Sequence, residues 1–468
     1  MEKEFVQNKI SEKLVEMSRN INFRCPRGTR DILPEEMKLR EIVYSKLRRV
    51  IESYGFSAVE TPAFENFDVL AAKGGPEIEE QIYTFTDKGG RKLGLRFDLT
   101  VPIARLVATN PKITKPAKLY YISNMWRYEK PQTEQRRLRE FYQCGVELIG
   151  SPLPIADAEV ISLGIDCLIA VGLDPSQIRV FINDRLILDG FIESLGIKEN
   201  RIMDTIRIID KKEKIKEDAF VEELEKIGID SQKIEQIIEF TNIRGDPEAV
   251  LKISYEKLPK NEKIKKGLEN LKSILEYLKI LEKLNYCIYD LGIARGLDYY
   301  TSTIFEAYEV DESMKKVGGS ILGGGRYDNL IEMFGGKSTP ATGWGLGIER
   351  LLNLLNKKGL AKIPEVEKNP VFVAPVNDSM RAEAIKIVNI LRRSGLKAET
   401  DLLNKSLKKQ FELINRKGNR ITIIVGLDEL SNGKVKCRDM KSGNEELIPL
   451  DELPDRIKSK FSEFDREK

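Results

Sequence analysis

The chain has 468 residues, of which 41% are hydrophobic and 32% are charged, and its formal net charge is +3. It is too long for one ordinary hydrophobic core, so two or three globular domains are expected. The N-terminal stretch MEKEFVQNKISEKL is charged where a signal peptide would be apolar, and no apolar run is long enough to cross a bilayer. These features argue against a membrane protein and predict a cytoplasmic location.

Thiol and imidazole groups offer little for metal binding. The chain has no histidine, and its five cysteines are scattered without a CxxC pair. Reduced thiols are therefore expected, and a zinc site is not.

The first elements are helical. Residues 1–22 have the pattern of a short amphipathic helix, and a longer helix is predicted from Glu35 to Tyr54. Apolar residues of this longer helix recur every three or four positions and define one buried face. They are Leu39, Val43, Leu47, Val50 and Tyr54. Gly55 ends the helix, and GFSAVETP is then a short strand closed by Pro62.

Strand-like runs follow at IYTFTD, KLGLRFDLT, LYYISNMWRYE and EFYQCGVELIG. The last two flank a polar, charged loop, which is typical of a long hairpin. Residues 1–195 are therefore predicted to begin an α+β domain with a largely antiparallel sheet.

Composition divides the rest of the chain. Residues 196–284 are rich in Lys, Glu and Ile with helical periodicity, which predicts a helical insertion, and strands of the first domain resume in 285–363. A linker runs from Pro364 to Pro370, and strand and helix patterns then alternate as a small α/β domain in 366–468.

The last domain carries an uneven charge. Between Arg381 and Arg420 there are eleven Lys or Arg and four Asp or Glu, so this basic segment has a net charge of +7. A local basic patch on a nearly neutral protein is the electrostatic footprint of a phosphate-rich partner. A solvated helical face is the alternative interpretation, and composition alone leaves it open.

The stretch GWGLGIERLLNLL, residues 343–355, alternates glycine with apolar residues and then becomes a helix near Glu349 and Arg350. Glycines at alternate strand positions leave one face without side chains, so a planar ligand can lie against the backbone. The spacing is GxGxG rather than the GxGxxG of dinucleotide-binding sites. A glycine-rich turn is the alternative for this string alone.

The stretch WRYEKPQTEQRRLREF, residues 126–141, places Arg127 and Glu129 two apart on one face of a predicted strand, before a basic loop. An arginine beside a carboxylate can be a structural ion pair. The loop adds Arg136, Arg137 and Arg139, and four cations around one hairpin favour a polyanionic ligand because guanidinium groups match phosphate geometry.

Together these strings resemble the signature motifs of the class II aminoacyl-tRNA synthetases. GFSAVETP resembles motif 1, Arg127 and Glu129 with Arg137 and Phe141 resemble motif 2, and residues 343–350 resemble motif 3. Within that class, ARGLDYYTSTIFE, PRGTRDILP and GGGRYDNL resemble signatures of the histidyl-tRNA synthetase family, and RFDLT resembles its archaeal and eukaryotic form. The resemblance covers nearly the whole chain from Phe23.

The resemblance implies the class II fold, an antiparallel-sheet catalytic domain with a helical insertion and a C-terminal α/β anticodon-binding domain. It implies that the protein activates L-histidine with ATP and Mg²⁺ and transfers it to the 3′ end of tRNA(His), as a homodimer that needs no membrane. The catalytic residues implied are Arg295 and Arg127, which meet negative charge developing on the α-phosphate.

The ATP site implied by the resemblance has adenine between Phe141 and Arg350, Glu129 near its amino edge and Arg137 at the γ-phosphate. Its full set is Arg127, Glu129, Arg137, Phe141 and Arg350. No side chain is assigned to a metal, because Mg²⁺ is expected to bind mainly through the ATP phosphates.

In the implied histidine site, Glu147 accepts a hydrogen bond from the imidazole and Tyr300 donates one, because a neutral ring has one donor and one acceptor. Tyr327 lines the ring pocket, and Asp98, Thr100 and Gln143 hold the α-amino group. The full set is Asp98, Thr100, Arg127, Gln143, Glu147, Arg295, Tyr299, Tyr300 and Tyr327.

Two alternatives remain at this stage. A non-catalytic paralogue acting as a regulatory subunit in histidine biosynthesis would share the fold, but this chain keeps the arginines and the C-terminal domain that such proteins lose. A synthetase for another amino acid would leave RGLDYY without a purpose.

The sequence also departs from many family members, which carry histidines where Tyr128 and Tyr142 stand.

Overall fold

The structure is a computed structural model that describes residues 23–72, 79–130, 138–295, 299–363 and 370–466. The predicted helix in 1–22, Arg136 and Arg137 of the basic loop, and most of the predicted linker lie outside the described residues. The chain divides into two compact units, one mainly Val43–Leu360 and the other Ala361–Lys468 together with Ile32–Ile42.

The first unit contains twelve described strands. They are β1 (Ser57–Ala58), β2 (Phe64–Asn66), β3 (Thr84–Thr86), β4 (Lys92–Leu95), β5 (Ala117–Trp126), β6 (Glu140–Ile149), β7 (Ile178–Asp184), β8 (Arg244–Gly245), β9 (Cys287–Asp290), β10 (Thr303–Val310), β11 (Lys316–Arg326) and β12 (Ala341–Gly347).

Nine of these strands form one sheet in the order β1-β5-β6-β12-β11-β10-β7-β9-β8. All its pairs are antiparallel except β1 with β5 and β7 with β9, which confirms the predicted antiparallel-rich sheet. The strands β2, β4 and β3 form a separate small sheet, so IYTFTD and KLGLRFDLT do not extend the main one.

The described helices of this part of the chain are α1 (Pro34–Ser53), α2 (Phe67–Ala71), α3 (Thr100–Thr109), α4 (Pro154–Ala170), α5 (Arg185–Ser194), α6 (Glu199–Lys211), α7 (Glu217–Lys226), α8 (Ser231–Thr241), α9 (Pro247–Lys257), α10 (Glu262–Ile280) and α11 (Ile348–Lys357). Five of them, α6 to α10, occupy the segment predicted to be a helical insertion. They belong to the same compact unit as the large sheet.

The first long helix agrees with its apolar spacing. Leu39, Val43 and Leu47 are buried as predicted, and Ile51 rather than Val50 continues the buried face. The helix is followed by Gly55, whose φ of 81° is a left-handed conformation that glycine adopts without steric cost.

The predicted strand positions of Arg127 and Glu129 are wrong. Strand β5 ends at Trp126, and the amide of Glu129 donates to the carbonyl of Arg127 at 2.9 Å instead of to a neighbouring strand. The amide of Arg127 still donates to the carbonyl of Arg139 at 2.8 Å, but the reciprocal bond is missing because the amide of Arg139 donates to the carbonyl of Gly28, also at 2.8 Å. The predicted strand through RFDLT likewise ends early, at Leu95, and Thr100 begins α3.

The second unit has its own sheet and core. Its strands are β13 (Val371–Pro375), β14 (Ala398–Thr400), β15 (Ile421–Val425), β16 (Lys434–Asp439) and β17 (Glu445–Pro449), in the order β14-β13-β15-β16-β17. Its helices are α12 (Arg381–Arg393), α13 (Leu407–Lys417), α14 (Leu427–Ser431) and α15 (Leu453–Arg466). The pairs β13–β14 and β13–β15 are parallel, as expected for the predicted α/β alternation.

Among the described residues, no helix combines the length and the apolar character needed to cross a bilayer.

Candidate active site

One concave pocket of about 280 Å³ lies over the centre of the nine-stranded sheet. It is lined by ends and middles of β6, β10, β11 and β12, by the start of α3 and α11, and by segments on either side of the hairpin β5–β6. Its lining residues include Asp98, Thr100, Arg127, Glu129, Phe141, Gln143, Glu147, Arg295, Tyr299, Tyr300, Tyr327 and Arg350.

These twelve residues are every site residue predicted from the sequence except Arg137, which lies outside the described residues. They come from positions 98 to 350, so only the folded sheet brings them together. Their convergence is a structural result, whereas the ligand assigned to each remains a prediction.

The floor of the pocket is made by glycines. Gly323 of β11 is paired with Gly345 of β12, and Gly345 is paired in turn with Gly145 of β6. Two residues along the strands, Gly325 pairs with Gly343, which pairs in turn with Glu147. Because residues directly opposite one another share a face of the sheet, these glycines leave that face free for the side chains of their neighbours.

A Cβ at any of these glycines would overlap a neighbouring group, and in two examples that group is a polar side chain of the pocket. A Cβ on Gly345 would overlap the side-chain amide of Gln143, and a Cβ on Gly323 would overlap the guanidinium of Arg295. The glycine floor therefore makes room for the polar groups of the pocket as well as for a ligand.

Glu147 is the most buried carboxylate of the pocket, with 1% of its surface exposed. Its Oε1 accepts a hydrogen bond of 2.7 Å from Thr100, and its Oε2 accepts one from the hydroxyl of Tyr327. Burial raises the pKa of Glu147 to about 8, although these two hydrogen bonds favour the ionised form. The nearby charge of Asp98 adds to the rise.

Asp98 is a second carboxylate of the pocket, and different contributions determine its pKa. Burial raises its pKa to about 6, while the charge of Arg127 and the backbone amides of Val101 and Thr100 lower it. The two buried carboxyls therefore differ in protonation near neutral pH, with Asp98 ionised and Glu147 largely protonated.

Three tyrosine rings cover one side of Glu147. Tyr299 lies 4.8 Å from Tyr300 and 5.9 Å from Tyr327, measured between ring centroids. On the same strand as Glu147, the amide nitrogen of Gln143 donates to the hydroxyl of Tyr121 at 3.3 Å. Aromatic rings and hydroxyls surrounding a carboxyl suit a small planar ligand with polar edges.

Arg295 precedes β10 with a left-handed backbone conformation, φ 43°. Its Nη1 donates to Oε1 of Glu306 at 3.0 Å, and its guanidinium lies 5.6 Å from the ring of Tyr300. Its buried Nε has no hydrogen-bond acceptor among the described residues. This side chain can therefore still bind an anion.

The other end of the pocket carries two further arginines. The Nε of Arg127 donates to the carbonyl of Phe97 at 3.1 Å, and its guanidinium lies 5.1 Å from the ring of Phe141. Arg350 donates from Nη1 to the carbonyl of Ser320 on β11. Both cations are oriented by backbone carbonyls.

Arg139 was predicted to add to a polyanion-binding loop, but the structure shows it in contact with neighbouring residues of its own hairpin. Its Nε donates to the carbonyl of Glu129 at 3.0 Å, and its guanidinium stacks 4.3 Å from the ring of Tyr128. It therefore fixes the chain beyond β5.

Sequence reasoning missed three polar residues of this region. Glu306 pairs with Arg295, Tyr121 accepts from Gln143, and Glu349 accepts from the backbone amide of Tyr142 at 2.9 Å. Glu306 had one signal, since it is a charged residue within the otherwise apolar run TIFEAY. The other two depend on strand register, which the sequence does not reveal.

Among the described residues, no three Asp, Glu, Cys or His side chains converge on a possible metal position. The pocket instead presents three arginines, the buried carboxyls of Asp98, Glu147 and Glu349, and a glycine floor. This combination can bind a polyanion at one end and a small amphoteric molecule at the other.

In the second unit, several cations of the basic segment (381–420) are paired with carboxylates. Arg381 bonds to Asp378, Arg420 to Asp439, and Lys417 to Glu399. On α13, Lys408 and Lys409 are exposed. Exposed cations of α12, such as Arg393, and of α13 therefore both contribute to the available charge.

Comparison with known families gives two matches. A family model described as histidyl-tRNA synthetase matches residues 28–351, and one described as anticodon binding domain matches residues 370–460. A histidine–tRNA ligase of Pyrococcus furiosus is 45% identical over 436 residues, which cover 92% of this chain and 98% of that protein.

Two solved structures extend the comparison. The crystal structure of histidyl-tRNA synthetase from Nostoc sp. PCC 7120 has a TM-score of 0.79 and 33% identity, and the match covers 94% of this chain and all of that one. A Bacillus halodurans C structure titled ATP phosphoribosyltransferase regulatory subunit/histidyl-tRNA synthetase has a TM-score of 0.69 and 27% identity, covering 81% of this chain and 93% of that one.

Proposed function

The chain belongs to the histidyl-tRNA synthetase family, and from that premise we infer that its pocket joins histidine to tRNA in two steps. It activates histidine with ATP, and it then transfers the histidyl group to the 3′ end of tRNA(His). The regulatory paralogue is not favoured, because a histidine–tRNA ligase matches over 92% of this chain, including the anticodon-binding part.

The observation that carries this function is the convergence of Arg127, Arg295 and Glu147 in one glycine-floored pocket. Two guanidinium groups suit an α-phosphate on which negative charge increases during the reaction. A buried carboxyl among tyrosines suits the nitrogen edge of an imidazole.

We assign the histidine ring to the space between Glu147 and Tyr300, with Tyr299 and Tyr327 as its walls. The α-ammonium group binds near Asp98, Thr100 and Gln143, because Asp98 is the pocket carboxyl that stays ionised at neutral pH. The bond between Thr100 and Glu147 supports this arrangement, since it connects the ring end of the site to the ammonium end.

We assign ATP to the end that contains Phe141 and Arg350, with adenine against the Phe141 ring and Glu129 near its amino group. Arg137 is proposed to reach the γ-phosphate. Mg²⁺ enters with ATP, bound mainly through phosphate oxygens, which are the hard ligands that it prefers.

In the first step, a carboxylate oxygen of histidine attacks the α-phosphorus, and the bond to the leaving pyrophosphate breaks. Arg127 and Arg295 lie where they can meet the charge that builds on the α-phosphate oxygens. No general base is needed, because the attacking carboxylate is already ionised. Preorganised cations of this kind contribute differential stabilisation of the transition state.

In the second step, a ribose hydroxyl at the 3′ end of tRNA attacks the carbonyl carbon of the histidyl-adenylate, and AMP leaves. The second unit binds the anticodon region of the tRNA, as its family match describes. The exposed cations of α12 and α13 supply the electrostatic part of this binding.

We further propose that the protein is a cytoplasmic homodimer that associates through the motif 1 region, GFSAVETP. The resemblance to class II synthetases supports this assembly. A sedimentation experiment at micromolar concentration tests it, and a monomer would contradict it.

The decisive test of the function is amino-acid-dependent exchange of pyrophosphate into ATP. Exchange is expected with histidine and with none of the other common amino acids. Charging of tRNA(His) by the same preparation then tests the second step. A protein that binds histidine but exchanges no pyrophosphate would favour the regulatory paralogue.

A further inference from the structure

We propose that Glu306 is a positioning residue for Arg295, and that the hydroxyl of Tyr308 holds Glu306 in place. This inference rests on the proposed function, because it concerns the cation that meets the α-phosphate. Glu306 would act in the reaction through Arg295, without contacting either substrate itself.

The first observation is the ion pair itself. Arg295 Nη1 lies 3.0 Å from Glu306 Oε1, and each side chain is only 19% exposed. Glu306 is the one hydrogen-bond acceptor of Arg295 among the described residues. Without Glu306, a long side chain with several rotatable bonds would have no directional contact that sets the plane of its guanidinium.

The second observation is that Glu306 is itself fixed. Its other oxygen, Oε2, accepts a hydrogen bond of 2.6 Å from the hydroxyl of Tyr308. The Tyr308 ring packs edge-on against Phe181 with centroids 5.6 Å apart, and the ammonium of Lys316 lies 4.9 Å from it. Buried and in contact with both groups, Tyr308 has little freedom to move.

The third observation is the space provided for the guanidinium. Glu306 of β10 is paired with Gly323 of β11, and a side chain on Gly323 would overlap Arg295. The left-handed backbone of Arg295 is unfavourable for a residue that has a Cβ, so the surrounding contacts must hold it there.

These contacts indicate that Glu306 orients the guanidinium of Arg295 and does not add to its attraction for phosphate. A carboxylate beside a catalytic cation partly cancels the field felt by a phosphate, so Glu306 does not strengthen the attraction. Its benefit is that the remaining N–H groups of Arg295 point in a fixed direction before the substrates arrive. Preorganisation of this kind affects the transition state more than substrate binding.

The test compares Glu306→Ala, Glu306→Gln and Tyr308→Phe in histidine-dependent pyrophosphate exchange. For Glu306→Ala we expect kcat to fall by about 10²-fold, with KM for histidine changed less than about two-fold. Glu306→Gln should recover part of the rate, because its amide oxygen can still accept from Arg295. Tyr308→Phe should lower kcat in the same direction but by less.

A matched control comes from the same strand. Glu309 of β10 pairs with Lys358 and not with a pocket residue. Glu309→Ala should leave kcat and KM close to those of the unmodified enzyme. Thermal unfolding of each variant shows whether a loss of rate reflects a loss of fold, and Glu306→Gln keeps the test usable if Glu306→Ala is unstable.

A double substitution separates positioning from direct contact with substrate. In an Arg295→Ala background, Glu306→Ala should cause no further loss of rate, because the group it positions is gone. Multiplicative losses would overturn the proposal, as would full activity of Glu306→Ala. Absence of histidine-dependent exchange in the unmodified enzyme would instead overturn the proposed function.

Discussion

The hydroxyl of Thr100 donates a hydrogen bond of 2.7 Å to Oε1 of Glu147, which links the first turn of α3 to β6 across the pocket. With Tyr327 on its other oxygen, Glu147 has hydrogen-bonding partners in either protonation state, because both partners are hydroxyl groups. The pocket can therefore hold this carboxyl with a raised pKa.

Glu147→Gln should change how the stability of the empty enzyme depends on pH. A carboxyl whose folded-state pKa lies above its unfolded value stabilises the fold at low pH and loses that contribution as pH rises through the folded value, here about 8. One pKa unit corresponds to about 1.4 kcal/mol, so we expect the variant to gain at least about 2 kcal/mol relative to the unmodified enzyme between about pH 5 and 9.

Thermal unfolding at several pH values measures this difference, with no histidine present. Glu129→Gln is a suitable control, because Glu129 is a pocket carboxyl that is only partly buried, whereas Glu147 is fully buried. If the stability difference between Glu147→Gln and the unmodified enzyme is the same at low and high pH, the raised pKa of Glu147 is wrong.

The value of kcat/KM for histidine should fall below about pH 6, because two groups take up protons there. Asp98, with a pKa of about 6, must be ionised to hold the α-ammonium, and a protonated imidazole cannot accept from Tyr300. A histidine analogue whose ring does not protonate in this range should show a shallower fall. If kcat/KM fell identically with pH for histidine and for the analogue, the role assigned to Tyr300 would be contradicted.

Arg295→Ala should lower kcat for adenylate formation by about 10³-fold, while tRNA binding changes little. Arg295→Lys should recover little of this, since an ammonium cannot bridge two oxygens as a guanidinium does. Single-turnover adenylate formation measures the step directly. An unchanged kcat in the alanine variant would contradict the assignment of Arg295 as the catalytic cation.

Gly345→Ala should raise KM for histidine by roughly 10-fold or more, because its Cβ would displace the Gln143 amide and a hydrogen bond to a charged group is worth about 1.5–3 kcal/mol. Gly347→Ala is the matched control on the same strand. A Cβ there would meet only the Cβ of Arg350, at 3.9 Å. Equal effects on KM for histidine would argue against a specific contact with Gln143.

Replacing Lys408 and Lys409 of α13 together by alanine should weaken tRNA binding and leave histidine-dependent pyrophosphate exchange unchanged. Each lost phosphate contact lowers the slope of log affinity against log salt by about 0.7–0.9. Lys458→Ala tests an exposed lysine of α15 in the same unit. An unaltered salt slope in the double variant would favour the solvated-face interpretation.

Local patterns predicted much of the fold. The apolar spacing of α1, the strands on either side of the basic loop and the helix after the glycine-rich strand are all present near their predicted positions. What the patterns could not supply is register. The pairing of Gly323 with Gly345 and with Glu306 depends on contacts among three strands, so neither the floor nor the partner of Arg295 follows from any single stretch.

The early end of β5 has the same cause. Arg127 and Glu129 lie two apart, which fits a strand, but a distant carbonyl, that of Gly28, takes the amide of Arg139 that would have continued the ladder. A tertiary hydrogen bond thus overrides a local preference. The site residues were predicted through the resemblance to the family, whose motifs identify residue types whatever the local backbone does.

The glycine floor also limits how the pocket can change by mutation. A surface of bare backbone has no side chain to shorten, so any substitution there can only make the cavity smaller. Acceptance of a bulkier amino acid would have to arise from the walls, where Tyr299, Tyr300 and Tyr327 still have atoms to lose. Single replacements of these glycines can therefore reject histidine, but they cannot by themselves admit a larger substrate.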